Sequence, residues 1–593
     1  MSSQFSLNPL PVAAAINLSP LDFLGNARRV AELLRQVRGA IPSSVRPIVV
    51  FPHGTICGHA GDFAGALWVR ERALKAIEDV LSASEGLSAL LSLPDARGGE
   101  EPWVIADGAA RPVKVDERGC FAVDGVRIAT LPESVQGADW LVLRDARPVR
   151  FGSYRAFIDR ACRWSTNGPL VVAADALGNQ GEPDIYAGGA LVAGGGKVLA
   201  RTRRFSYRDG LWCAPELSAN NVSLTNAPLP RDAADLADIE EERFEEFGRA
   251  ISLALFDYMR KCRAYGFTLS LSGGADSAAV AVLILLGRLF GIEELGEEGL
   301  KERLSFLCEQ ENQDQRDNFD LAAKLLTTVY QATAHSGEVT RSAAELVARA
   351  VGSRHFEFSI DSIVESYKAL IAGAIGRPLT WDRDDLPLQN IQARTRAPGV
   401  WLLANLTGSL LLSTGNRSEA SVGYMTMDGD SCGALSPIAG VSKTFIRKWL
   451  IWMEKTGISL RQVKGTEERF RVPALKAINE QQPTAELRPP EALQTDEGDL
   501  MPYSVLNIIE EGVIRRLGGE ALFSFVQKEA TLVPELTSCS EERLRQWIAK
   551  FCRLFPRAAW KRRRTAPGFN IDGYSLAPGQ GNDMPLLVSG FGE

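Results

Sequence analysis

The sequence predicts two α/β domains in one chain, and three observations predict it. At 593 residues the chain is too long for one ordinary core, so two domains, each with a sizeable apolar interior, are expected. Short β-like runs alternate with helical segments through both halves, the pattern of strands joined by crossover helices. One such junction, Phe267 to Leu283, joins a strand and a helix through a loop of small residues, Leu271-Ser272-Gly273-Gly274-Ala275-Asp276-Ser277.

In the first half, Ile48–Phe51, Trp140–Leu143 and Leu170–Ala174 read as strands, and Asn26–Arg38 and Gly65–Leu81 as helices. These define a domain over residues 1–225. The Pro- and Asp-rich stretch from Asn226 to Asp232 leads into the acidic segment Ile239–Phe247, so 226–246 reads as a linker and 247–593 as the second domain. There a helix over Phe247–Tyr265 precedes the strand and loop. A helix from Asp276, a strand at Thr327–Tyr330 and a helix over Val339–Val351 follow. That order implies a doubly wound parallel sheet with its ligand at the carboxyl ends of the strands.

Composition narrows the function. A hydrophobic fraction of 45% and a charged fraction of 23% fit a soluble globular protein. The net charge of −7 argues against a nucleic-acid binder, although the run Lys561-Arg562-Arg563-Arg564 is locally basic. The nine cysteines show no CxxC pair and no metal-type spacing, so a reducing, cytoplasmic location is expected. No apolar run approaches the ~18 residues of a membrane span, and the N-terminus lacks the pattern of a secretory signal.

The loop carries the chemistry. Gly273 and Gly274 let the backbone bend and bring N–H groups against an anion, and the helix that follows points its positive end at the same place. Ser272 and Ser277 are suited to phosphate oxygens, and Asp276 to Mg²⁺. No Gly-Lys-Ser/Thr follows, and the spacing is not that of a dinucleotide fingerprint. The loop resembles the SGGxDS signature of ATP-pyrophosphatases, which cleave ATP between its α- and β-phosphates to adenylate an oxygen that a nitrogen or sulfur nucleophile then attacks.

Further segments extend the resemblance over nearly the whole chain: Ser336–Thr340, Leu388–Arg396, Ser413–Glu419 with Gly423-Tyr424, Val441–Thr444, Pro483–Leu487 and Gln494–Glu497. Together they resemble NAD synthetase in its long, glutamine-dependent form. The resemblance implies an N-terminal nitrilase-like αββα sandwich and a C-terminal ATP-pyrophosphatase domain. It implies ATP and Mg²⁺ as cofactors, with Asp276 and Glu419 on the metal and Thr414, Lys443 and Thr484 on ATP. Asp276 and Lys443 would carry the catalysis, and Arg394 and Lys561 would contact deamido-NAD. By analogy it also implies a homodimer or larger homo-oligomer.

The sequence departs from the family in two places. Where many members have a lysine and, seven residues on, an aspartate that reach deamido-NAD, this chain has Met427 and Ala434, with Asp428 and Asp430 as possible replacements. The glutaminase triad of glutamate, lysine and cysteine reads here as His53, Lys114 and Ala129. A methyl group cannot replace a thiol nucleophile, and Cys57 is better read as buried and structural than as a substitute. The expected function is therefore ammonia-dependent amidation of deamido-NAD to NAD, with AMP and pyrophosphate released. The alternatives are a ligase acting on another carboxylic acid or amine, and a catalytically silent nucleotide-binding protein.

Overall fold

The structure, a computed structural model, describes all residues except 1–8, 96, 98, 145, 182, 217–230, 310–319, 335, 462–466, 483–486, 490–494 and 577–593. The chain divides into two compact units, Met1–Lys261 and Cys262–Glu593.

The first unit holds two sheets. One is built from β1 (Leu10–Asn17), β2 (Pro47–Val50), β3 (Ser88–Pro94), β4 (Glu100–Ala106) and β5 (Ala109–Pro112). The other is built from β6 (Cys120–Val123), β7 (Val126–Ala129), β8 (Trp140–Leu143) and β9 (Leu170–Ala173). Next along the chain, β10 (Asp175–Asn179), β11 (Ile185–Ala187) and β14 (Gly210–Cys213) join the first sheet, and β12 (Leu191–Gly194) and β13 (Lys197–Arg201) the second. The strand orders are β11-β10-β1-β2-β3-β4-β5, with β14 paired to β1, and β13-β12-β9-β8-β7-β6.

Strand alternation explains the layering, because successive side chains point to opposite faces. Val142 and Val172 share a core with Val12, Val49 and Leu90 of the other sheet. Leu141, Leu143, Val171 and Ala173 face outward and pack under Tyr154, Phe157 and Ala161 of the helix Ser153–Ser165. The helix Phe23–Ala40 covers the first sheet through Ala27, Val30 and Leu34. This is the expected αββα sandwich. The helix expected over Gly65–Leu81 is two, Leu67–Ala76 and Glu78–Ser82.

The helix Ile239–Cys262, which begins in the expected linker and runs past it, is part of the first unit for electrostatic reasons. Arg204, 2% exposed at its side chain, donates to Asp232 at 2.7 Å and to Glu246 of this helix at 2.8 Å. Asp257 accepts from the Asn17 side chain at 2.8 Å and from Asn179 N at 3.0 Å. Removing one partner of such a buried charge set typically costs about 3–5 kcal/mol, because the other is stranded.

The second unit carries a parallel sheet of β15 (Phe267–Ser270), β16 (Leu326–Ala332), β17 (Arg354–Ser359) and β18 (Leu410–Leu412) in the order β17-β16-β15-β18. The order reverses at β15, so the loop after β15 stands at a topological switch point, where open α/β sheets place their ligands. The helix Ala275–Arg303 follows, with Ala278 to Leu286 buried and a break at Gly296. It corrects the expectation about apolar runs. An 18-residue window in this helix has mean hydropathy 1.8. The reason is that it is a core helix, with 72% of that window buried. Further on, the helices Tyr503–Ile514, Gly519–Ala530 and Glu541–Arg557 pack on Val422 around a separate core.

Candidate active site

The loop after β15 is held by packing and by its own serines. Gly273 has φ +81°, and a Cβ there would lie 2.0 Å from the Thr340 carbonyl oxygen in the helix Glu338–Val351. Only glycine fits both constraints. Ser277 Oγ accepts from Ser272 N at 3.2 Å and lies 3.2 Å from Ser272 Oγ, which in turn accepts from Gly274 N at 3.3 Å. Ser272, Gly274, Asp276 and Ser277 line a cavity of about 340 Å³, whereas Gly273 is turned into the helix packing and does not line it.

Charged side chains from three later segments converge on Asp276. Lys443, first residue of the helix Lys443–Lys455, donates to Asp276 and, at 3.1 Å, to Glu419. Asn416 caps the short helix Arg417–Val422 by accepting from Glu419 N at 3.0 Å, and its amide donates to Asp276 at 3.2 Å. Its backbone N–H also donates to the Glu419 carboxylate at 3.4 Å, so one asparagine contacts both carboxylates. Asp496, 5% exposed, accepts from the Tyr503 hydroxyl at 3.1 Å through Oδ2.

Burial raises the pKa of Glu419, with Lys443 lowering it and the charges of Asp276 and Asp496 raising it further. Burial raises Asp496 as well. Burial alone would lower the Lys443 ammonium, but the carboxylates of Asp276, Glu419 and Asp496 outweigh it and hold the pKa well above the usual lysine range. All four groups and Thr414 line the cavity.

The structure thus brings together Asp276, Glu419, Lys443 and Thr414, and it adds Asn416, Asp496 and Tyr503, which the motifs do not single out. Thr484 lies outside the described residues. Lys561 lines the cavity with its ammonium on the carbonyls of Gly423 and Met425, at 2.7 and 2.6 Å. Arg394 does not line it; its guanidinium donates to the Met427 carbonyl at 3.1 Å. Asp428 meets Arg564 at 3.2 Å, and Asp430 accepts from Thr426 N at 2.6 Å. Met427 and Ala434 also lie outside the lining.

Residues 248–524 match the family model described as NAD synthase. That stretch holds the loop after β15 and the cavity residues Asp276, Glu419, Lys443 and Asp496. A crystal structure of a glutamine-dependent NAD(+) synthetase from Cytophaga hutchinsonii is similar over 98% of this chain and 97% of its own, at 29% identity and a TM-score of 0.77. One from Acinetobacter baumannii, at 18% identity and a TM-score of 0.60, shares the fold. The human glutamine-dependent NAD(+) synthetase is 28% identical over 72% of this chain and 65% of its own length. For the bovine protein the figures are 29%, 71% and 64%. The chain thus spans somewhat less than two thirds of the length of these curated relatives.

The first unit has a second polar cluster at the end of β2. His53 Nδ1 lies 2.9 Å from Glu100 and 3.3 Å from Ser92 Oγ, and Ser92 accepts from the buried Arg144 at 2.8 Å. Burial would raise the Glu100 carboxyl, but hydrogen bonds from His53 and Gly54 N hold it below its usual value. Ala129 is fully buried at the end of β7, under the helix Ser153–Ser165, and Lys114 is exposed. Cys57 is 3% exposed, and burial, aided by the charge of Glu100, pushes its thiol up to about 12. It is a core cysteine.

Proposed function

We propose that the second unit amidates deamido-NAD to NAD, using ATP and ammonia and releasing AMP and pyrophosphate. The observation that carries this reading is the convergence of Asp276, Glu419 and Lys443 on one cavity beside the loop after β15. The match of residues 248–524 to the NAD synthase model and the likeness to glutamine-dependent NAD(+) synthetases support formation of NAD.

The residues fit Mg²⁺. Three carboxylates, Asp276, Glu419 and Asp496, stand around one ammonium, a deficit of positive charge that a hard divalent cation makes good. Among the described residues no group of three or more His, Cys, Asp or Glu is arranged to hold a metal alone. That suits a cation bound by one or two carboxylates plus substrate phosphates. When bound, Mg²⁺ neutralises charge on the transferring phosphates. Asn416 would hold Asp276 and Glu419 in place, and Lys443 would offset charge on the departing pyrophosphate.

The first unit is proposed to lack glutaminase activity, since Ala129 offers no nucleophile. The reading extends to assembly. The helix Asp361–Ile375 buries only Val364 and leaves Leu370 67% and Ile375 49% exposed, with Ile363, Tyr367 and Ile371 on the surface too. Such an apolar face supports a homo-oligomer, and Arg394 and Met427, outside the cavity lining, are free to belong to a substrate site completed by a second subunit. Light scattering giving a monomer at micromolar concentration would rule this out. The nine free cysteines support a cytoplasmic location, which fractionation of the native cell would test. The reaction itself is tested by AMP release, which is expected only when ATP, Mg²⁺, deamido-NAD and ammonium are all present. AMP formation with nicotinate or another acid in place of deamido-NAD would redirect the assignment.

A further inference from the structure

Asp496 lines the cavity, and its Oδ1 is buried and has no hydrogen-bond partner among the described residues. A buried carboxylate oxygen left open in this way is costly unless something comes to occupy it. Lys443 feels the charge of Asp496 but donates to Asp276 and Glu419, with its ammonium 5.8 Å from the centre of the Tyr503 ring, whose hydroxyl anchors Asp496. One ammonium therefore sits between the two carboxylates that a metal would need, and a third carboxylate stands nearby with an unpartnered oxygen.

We propose that Lys443 is the resident counter-ion of the seat between Asp276 and Glu419, and that Asp496 is the acceptor onto which its ammonium moves when a divalent cation takes that seat. This rests on the proposed function only in taking Asp276 and Glu419 as the cation's ligands. Charge closes on it: three carboxylates are balanced by one ammonium and one divalent cation. The exchange lets the cation in without leaving the lysine buried and unpaired, a state that low-dielectric surroundings penalise heavily. Asp496 is then a positioning residue that acts through Lys443.

Mn²⁺ titration of the full chain without nucleotide, followed by electron paramagnetic resonance, tests this without reference to turnover. Removing the competing ammonium in Lys443→Gln is expected to tighten Mn²⁺ about tenfold or more, as loss of a close repulsive charge does. Asp496→Asn, which deprives the displaced lysine of its partner, is expected to weaken Mn²⁺ several-fold in the natural chain and by less than about twofold in the Lys443→Gln background. Equal weakening in both backgrounds would make Asp496 a direct ligand and overturn the inference, as would a Lys443→Gln protein that binds no tighter. Should Lys443→Gln fail to fold by circular dichroism, anomalous scattering from a Mn²⁺-soaked crystal of the natural chain decides instead. Lys443 Nζ on Asp496 Oδ1 is expected, and Nζ still on Asp276 overturns it. Mn²⁺ that fails to bind even with a non-hydrolysable ATP analogue would defeat the proposed function itself.

Discussion

The end of β15 and the end of β2 both gather charged side chains at a strand terminus, yet only one of them leaves those charges with something to do. After β15, Lys443, Asp276, Glu419 and Asp496 line a cavity with more carboxylate than ammonium, and one buried carboxylate oxygen has no partner among the described residues. After β2, His53, Glu100, Ser92 and Arg144 bond one another, while Ala129 stands under a helix with no reactive atom. A polar cluster becomes a site when its bonding capacity exceeds what it spends on itself.

The largest effect is expected where that excess is removed. Asp276→Asn or Glu419→Gln should lower Mg²⁺-dependent pyrophosphate release about 100-fold or more, since a metal-clamp carboxylate supplies several kcal/mol of transition-state stabilisation. Circular dichroism should show both variants folded, and unchanged turnover would erase the contrast between the two clusters. Next comes the loop that frames the cavity. Gly273→Ala forces a side chain into left-handed backbone against Thr340, a strain of about 1–3 kcal/mol, so ATP binding by calorimetry should weaken about tenfold or more. Binding at the native level would mean the loop does not need its close packing on the helix Glu338–Val351.

At the other cluster the effects should be small. With its thiol pushed up to about 12, Cys57 stays protonated and unreactive until strongly alkaline pH. Iodoacetamide mapped by mass spectrometry should therefore leave Cys57 unmodified at neutral pH in the folded chain, and rapid labelling there would revive it as a nucleophile. Smallest of all, His53→Ala and Lys114→Ala should change the ammonium-driven rate by less than about twofold, the range of substitutions away from working groups. A large loss would show that the first cluster still serves the reaction.

These two regions were unequally legible in the sequence. The loop, Asp276, Glu419 and Lys443 sit in compact local motifs, and alternating strand-like and helical runs mark both units as α/β, while the αββα layering of the first is implied only by the resemblance. Asn416 and Asp496 stand inside quoted motifs, but what they do depends on partners far along the chain, Asp276 and Tyr503, which no local spacing reveals. The resemblance implies Arg394 and Lys561 as contacts to deamido-NAD. In the fold both donate to backbone carbonyls of residues 423–427, a use of charge that leaves no mark in sequence. The helix Ile239–Cys262 belongs to the first unit because of buried pairs with Arg204, Asn17 and Asn179, again contacts distant in sequence.

The proposed contrast between the two clusters is tested most directly by the source of nitrogen. The full chain is incubated with ATP, Mg²⁺, deamido-NAD and either ¹⁵N-ammonium or glutamine labelled with ¹⁵N at its amide, and NAD and glutamate are followed by mass spectrometry. ¹⁵N-labelled NAD from ammonium, with neither labelled NAD nor glutamate from glutamine, is the predicted result. Labelled NAD from glutamine would contradict the account.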